Sequence, residues 1–240
     1  MLFRLKFLPL ALALVALMLF GTSCGSSSGK LRVVQAIPDV PSAQPLDIYL
    51  DGSKVANQVG FGGLFPTSGY HSTSSGSRHL QVYLSGQTTN PYFDGNLTIS
   101  NGTDYTTVLT GSITSNSVVA PLLTDNNSKP SSSGNFELRI IHASPFWNSF
   151  FGGMDVYVVA PGTSISAVSP TVSNLTYKNA STYVSAAAGT YEVIMTPVGL
   201  KANDIDVTYT FNAGQIRTLV VTDAEGGGFP GTPVELNDLN

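Results

Sequence analysis

The chain repeats itself. Leu31-Arg32-Val33-Val34-Gln35-Ala36-Ile37-Pro38 returns 107 residues later as Leu138-Arg139-Ile140-Ile141-His142-Ala143-Ser144-Pro145, and Leu46-Asp47-Ile48-Tyr49-Leu50 returns at 108 as Met154-Asp155-Val156-Tyr157-Val158. Tyr70, Gly76 and Gly86 match Tyr183, Gly189 and Gly199 at 113. Gly102, Thr106, Val108 and Thr110 match Gly214, Thr218, Val220 and Thr222 at 112, as does Pro121-Leu122 with Pro233-Val234. The offset changes only between blocks, as when loops take insertions and strands do not. A period near 110 residues is too long for a solenoid repeat and suits one β-sandwich domain per copy.

The residues inside each block favour strands. Leu46, Ile48 and Leu50 alternate with Asp47, Tyr49 and Asp51, and Met154, Val156 and Val158 repeat that apolar face. Charged residues are only 11% of the chain, and Gly (24) and Pro (14) are plentiful, which suits short strands and tight turns better than solvated helices. The spacing predicts strands over 31–37, 46–50, 78–85, 93–99 and 103–110, with counterparts at 138–143, 154–159, 190–196, 205–211 and 215–222. Stretches 54–74 and 163–185 are each expected to add two more. The polar run from Asp125 to Gly134 reads as a linker. The expected fold is all-β: two tandem immunoglobulin-like antiparallel β-sandwiches, over 31–124 and 136–240, with 125–135 between them.

Arg4 and Lys6 precede an apolar run from Phe7 to Phe20, which is too short to cross a bilayer as a helix and has the layout of a signal peptide over 1–23. The run ends in Gly21-Thr22-Ser23-Cys24-Gly25, which resembles a bacterial lipobox. By that resemblance the chain is cut before Cys24 and acylated there. Residues 24–30 then form a lipidated cysteine and a flexible Gly/Ser tether. The expected location is the cell envelope, lipid-anchored at the outer membrane, with the membrane as one partner. Cys24 is the only cysteine, so no disulfide can form within the chain. A formal charge of −4 without a basic cluster in the body argues against a nucleic-acid partner.

Taken together, Leu31-Arg32-Val33-Val34, Leu46-Asp47-Ile48-Tyr49-Leu50-Asp51-Gly52, Tyr70 with Gly76, and Gly102 with Thr106 to Gly111 resemble the bacterial DUF4397 family, over roughly 31–123 and again over 136–236. The resemblance implies an extracytoplasmic, often lipid-anchored protein with immunoglobulin-like sandwiches and no established catalytic residues. The family's histidine in the first motif stands here as His142 but is Gln35 in the first copy.

No catalytic residue, metal ligand set or cofactor is expected. The three histidines, His71, His79 and His142, have Val184, Glu192 and Gln35 at the matching positions, and the zinc and calcium motifs are absent. Arg32 and Asp47, like Arg139 and Asp155, are charged residues within apolar strands of both copies and are expected to pair structurally across adjacent strands. The segment 146–151 reads as an aromatic loop in which Phe146, Trp147, Phe150 and Phe151 are candidate binding residues. The function expected is that of a non-enzymatic cell-envelope lipoprotein acting as an interaction or structural module toward an envelope protein or glycan. The alternative is a carbohydrate-binding or adhesion protein using the aromatic loop; an extracytoplasmic hydrolase is the distant one.

Overall fold

The structure, a computed structural model, describes residues 27–240 except Asn203, Pro230, Thr232 and Asn240. The segments expected to be the signal peptide and the first part of the tether, with Cys24, lie outside the described residues. The first half contains β1 (Ser28–Gln35), β2 (Leu46–Leu50), β3 (Ser53–Val59), β4 (Leu64–Phe65), β5 (His71–Ser74), β6 (Gly76–Leu84), β7 (Phe93–Ile99), β8 (Asp104–Leu109) and β9 (Leu122–Asp125). The second contains β10 (Asn135–His142), α1 (Pro145–Phe151), β11 (Met154–Val159), β12 (Val172–Leu175), β13 (Val184–Ala187), β14 (Gly189–Pro197), β15 (Ile205–Phe211), β16 (Ile216–Val221) and β17 (Pro233–Leu239). Among the described residues no helix is long and apolar enough to cross a membrane.

Each half folds its strands into two sheets, and the orders correspond. The first half has β4-β1-β8-β9, with β5 also on β1, and β3-β2-β6-β7; the second has β13-β10-β16-β17 and β12-β11-β14-β15. Pairing is antiparallel except for β1 with β8 and β10 with β16, which run parallel. In each half the chain leaves the inner sheet after its first strand, lays two strands of the outer sheet, comes back for β4 and β5 or for β13, lays two more outer strands, and returns alongside that first strand. This return closes the sandwich around a core of its own: Leu31, Val33, Ile48 and Val82 in one half, Phe136, Ile140, Val156 and Val193 in the other.

The sheets holding β1 and β10 are buried on both faces. β16 is buried at every position and β1 from Leu31 onward, whereas β7 and β15 alternate buried with exposed. The second faces of these inner sheets meet each other. Val34, Ala36 and Val108 from the first half pack on Ile141, Ala143, Val220 and Leu236 from the second. The body is thus four sheets deep, with two sandwich cores and a third apolar layer between the halves.

Three local readings change. β1 takes in Ser28–Lys30, assigned from sequence to the tether, because their backbone pairs with β5. Asp125, assigned to the linker, is the buried last residue of β9. The stretch 54–74 contributes to three strands rather than two.

Candidate functional site

The charged residues repeated in both halves do not pair as expected. Arg32 and Asp47 do not meet, and neither do Arg139 and Asp155, because Asp47 and Asp155 lie in the outer sheets while the arginines sit on the second faces of the inner ones. Each arginine reaches into the other half instead. Arg32 Nη2 donates to Asp238 Oδ1 at 2.5 Å and Nη1 to the Asn237 carbonyl at 3.1 Å. Arg139 Nη2 donates to Asp125 Oδ1 at 2.6 Å and Nη1 to the Thr124 carbonyl at 2.9 Å. The exchange is reciprocal in its supports too. Thr106 donates to Asp125 and Thr218 to Asp238, both at 2.5 Å, while Tyr70 and Tyr183 lie over the Arg32 and Arg139 guanidinia at 4.7 and 5.0 Å. Burial works against the charge of Arg139, but Asp125, Tyr183 and Asp238 hold its pKa above the ordinary value.

Asp47 and Asp155 brace loops. Asp47 accepts from the Gln58 and Gly86 amides and from Lys54 Nζ; Asp155 accepts from the Asn174 and Gly199 amides. Gln58 and Asn174 have φ of 54° and 50°, and Gly86 and Gly199 have 83° and 76°. The carboxylate ties down two left-handed turns at once, which accounts for the repeated glycine.

The aromatic segment is a helix, not a loop. Ser144 caps it, accepting from the Trp147 amide at 3.0 Å, and Pro145 occupies the first turn, where its missing N–H costs nothing. Buried Asp223 accepts from the Ser144 hydroxyl and the Phe146 amide. Burial raises the Asp223 pKa, and the bonds from Ser144, Phe146 and Trp147 only partly offset this. Trp147 is 0% exposed, packs in the second core and donates its indole N–H to the Gly153 carbonyl at 3.1 Å. It is therefore a core residue and offers no face to a ligand.

His142 holds the corner before this helix. Its Nδ1 accepts from the Ser144 amide at 3.4 Å, and Nε2 faces the Gly152 carbonyl at 3.2 Å. Gln35 does the first of these jobs in the other half, its Oε1 accepting from the Ile37 amide at 2.5 Å. Histidine and glutamine interchange here because both offer an acceptor to the amide two residues on. Burial pushes the His142 pKa down to about 4, against the raising effect of the Gly152 carbonyl. The unfolded chain takes up a proton first as the pH falls through about 6.5. The stability due to neutral His142 is therefore complete above that value and is lost between about 6.5 and 4, amounting to about 3 kcal/mol. Urea unfolding at pH 7 and pH 4.5 is expected to show this loss, and His142→Gln to reduce it. An unchanged pH dependence in that variant would refute the assignment.

Three loops of the second half converge at one end. β10 and β16 run parallel, so His142 and Val221 share an end, where β17 begins at Pro233; in the facing sheet Met154 starts opposite Pro197. The loops there are α1, the turn 198–202 and the stretch 222–229. They approach closely: a Cβ on Gly153 would lie 3.2 Å from Val198 and 2.3 Å from Asn174 Oδ1. The exposed large hydrophobic residues of the described chain are Phe150 (68%), Leu200 (55%), Phe151 (44%), Val198 (44%) and Phe229 (37%), and all five stand on these loops. Phe146 is half-buried and lies tilted against Phe150 at 4.5 Å, while Phe151 and Phe229 pack on Trp147, each at 5.4 Å. Sequence reading singled out Phe150 and Phe151 but missed Val198, Leu200 and Phe229, which lie outside any aromatic run.

A cleft of about 570 Å³ opens beside this end, between Asp39–Ser42 of the first half and Glu225–Gly226 of the second. Asp39 is engaged there by Ser112 and the Ile113 and Thr114 amides; these bonds outweigh burial and hold its carboxyl below the usual range. Among the described residues no group of three or more His, Cys, Asp or Glu stands together to hold a metal ion.

The family described as "Domain of unknown function (DUF4397)" matches residues 29–149. No curated protein matches the chain. Among solved structures, the Bacillus anthracis TIE protein is 14% identical with a TM-score of 0.26, over 82% of this chain and 34% of that one. The chain thus spans about a third of that protein's length. A family 26 carbohydrate-binding module from Eubacterium rectale Amy13K, in complex with maltoheptaose, is 13% identical with a TM-score of 0.28, over 85% of this chain and 95% of that one. A family 41 carbohydrate-binding module from streptococcal virulence factors is 13% identical with a TM-score of 0.25, over 82% and 95%.

Proposed function

The chain belongs to the DUF4397 family, and we propose that it is a non-enzymatic cell-envelope lipoprotein, two copies of this domain locked face to face and held to the outer membrane through Cys24, acting as an interaction or structural module. The observation that carries this reading is how the chemically capable side chains are used. Arg32, Arg139, Asp125 and Asp238 join the halves, Asp47 and Asp155 brace turns, and His142 and Asp223 set the base of α1. Of the other histidines, His71 packs against Phe65, and His79 meets Asp94 at 2.6 Å on an open sheet face. The repeat offsets and corresponding sheet orders support a second copy of the domain beyond the matched residues. A carbohydrate-binding role would rest on Phe150 and Phe151, since Trp147 is inside the core.

The anchor is tested in cells. The native chain is expected in the membrane fraction, with Cys24 acylated by mass spectrometry, and Cys24→Ala is expected to shift it to the soluble fraction. An unmodified Cys24, or membrane retention of the variant, would remove the lipoprotein reading and leave the fold untouched.

A further inference from the structure

The apolar end of the second half has no counterpart in the first. Where the second half has α1, Val198-Gly199-Leu200 and Phe229, the first has the loop Val40–Gln44, the turn Ser85-Gly86-Gln87 and the stretch around Ser115–Ser117. None of these loops presents an exposed large hydrophobic residue. The asymmetry is confined to residues that neither sandwich core nor the layer between the halves requires.

The chemistry of this tip narrows what can cover it. Its five exposed side chains are all Phe, Val or Leu, and α1 has no acidic residue in its first turn and no basic residue in its last. The cation on these loops, Lys201, is spent on the Tyr157 hydroxyl and the Val168 carbonyl, and Asp204, Asp223 and Glu225 leave the loops net acidic, so a polyanion is not favoured. A glycan needs a flat ring and polar groups beside it, whereas Phe150 and Phe151 are tilted by 50° and Phe151 and Phe229 by 76°, and none carries a hydroxyl. With aromatic side chains at about 150–250 Å² each, the exposed area is on the order of 400 Å². That is about half of the ~800 Å² per partner in a standard protein interface. Three loops of apolar side chains can instead enter the boundary between headgroups and acyl chains, where no complementary surface is needed. The proposed acylation of Cys24, outside the described residues, would hold the body beside such a boundary.

We propose that this tip, formed by Phe150, Phe151, Val198, Leu200 and Phe229, is a lipid-inserting surface that binds a bilayer through apolar contacts alone. The membrane-anchored reading gives the reason for choosing lipid, but the contact itself does not depend on acylation. The two sites are at different ends. The amide of Gly226 donates to the Pro38 carbonyl, so the tip lies beyond the C-terminal end of β1, while Ser28 lies about eight residues, roughly 26 Å, back along that strand. An acylated chain would therefore carry lipid contacts at both ends of its body.

The test uses the chain from residue 24 onward carrying Cys24→Ser, so that neither an acyl group nor the apolar run Phe7–Phe20 holds it, with phosphatidylcholine vesicles. Sedimentation measures binding. Quenching of Trp147, the only tryptophan and in contact with Phe151 and Phe229, by brominated phosphatidylcholine reports on the tip. Phe150→Ser with Phe151→Ser is expected to weaken vesicle binding at least about tenfold and abolish the quenching. Leu200→Ser, on a separate loop, is expected to weaken binding in the same direction, Gln44→Ser on the first half to leave it unchanged, and raised salt to leave it undiminished. The replaced side chains are exposed, and unchanged far-UV circular dichroism and urea midpoint in buffer verify that the variants fold. Failure of the parent to quench in brominated vesicles, equal quenching by the double variant, or a soluble glucan whose binding the double variant loses would each overturn the proposal. None of these outcomes bears on acylation of Cys24, which the fractionation experiment decides separately.

Discussion

Asp125→Ala is expected to destabilise the folded protein by about 3–5 kcal/mol, because it leaves the Arg139 guanidinium buried without its carboxylate. The Asp125 side chain is fully buried, and it accepts from Arg139 at 2.6 Å, Thr106 at 2.5 Å and Tyr70 at 2.8 Å, with Arg32 at 3.7 Å. In a body of this size each kcal/mol lowers Tm by about 2–4 °C, so a drop on the order of 10 °C is expected in a thermal scan. Asp238→Ala should match it, since Asp238 holds Arg32 and Thr218 in the reciprocal arrangement. Replacing both partners, as in Arg139→Met with Asp125→Leu, should recover much of the loss, because burying neither charge removes the desolvation cost. A change below about 1 kcal/mol for Asp125→Ala, the range of exposed pairs, would mean that the halves open easily and that the four charges are solvated.

This network also marks where the sequence was readable and where it was not. The outer-sheet strands β2, β7, β11 and β15 fall on the predicted ranges 46–50, 93–99, 154–159 and 205–211, because apolar and polar residues alternate along each: on β7 and β15 the polar ones face solvent, while on β2 and β11 Asp47, Asp155 and Tyr157 are buried. β1 and β10 begin three residues earlier than predicted. Their inner sheets are buried on both faces, so alternation is lost, and Ser28 and Gly29 join through backbone bonds that no side chain announces. The arginines stood out correctly as charges in apolar strands, but their partners did not, since Asp125 reads as the start of a polar linker and Asp238 lies outside every predicted strand. One signal was available: Asp125 and Asp238 are 113 residues apart, the offset that relates Tyr70 to Tyr183. For the tip, α1 has seven residues, too few for a helical period to show, and Ser144-Pro145 at its start is not read as a cap. The meeting of Phe150 with Leu200 and Phe229 depends on loops brought together by the return of β16 beside β10, and no local pattern contains that.

Trp147→Ala is expected to cost a further large amount, about 3–5 kcal/mol, at the base of that tip. The indole is wholly buried among the second core's residues, and its loss would leave a cavity that the surrounding strands, fixed by their ladders, cannot fill. The Gly153 carbonyl would lose its donor and α1 its anchor, so Phe150 and Phe151 would no longer be held in place. Urea unfolding followed by far-UV circular dichroism measures the cost, since the variant has no tryptophan to report. Trp147→Phe separates the two contributions: it keeps most of the volume but not the N–H, and is expected to cost about 1–3 kcal/mol for the unsatisfied carbonyl and the smaller ring. The contrast with Phe150→Ser is the decisive one. Phe150 is mostly exposed, so its loss should leave stability within about 0.5 kcal/mol while changing what the tip can bind. If Trp147→Ala instead left stability unchanged, the indole would have to be free to face solvent, and the division between a buried aromatic base and an exposed apolar rim, on which the lipid-inserting surface depends, would be lost.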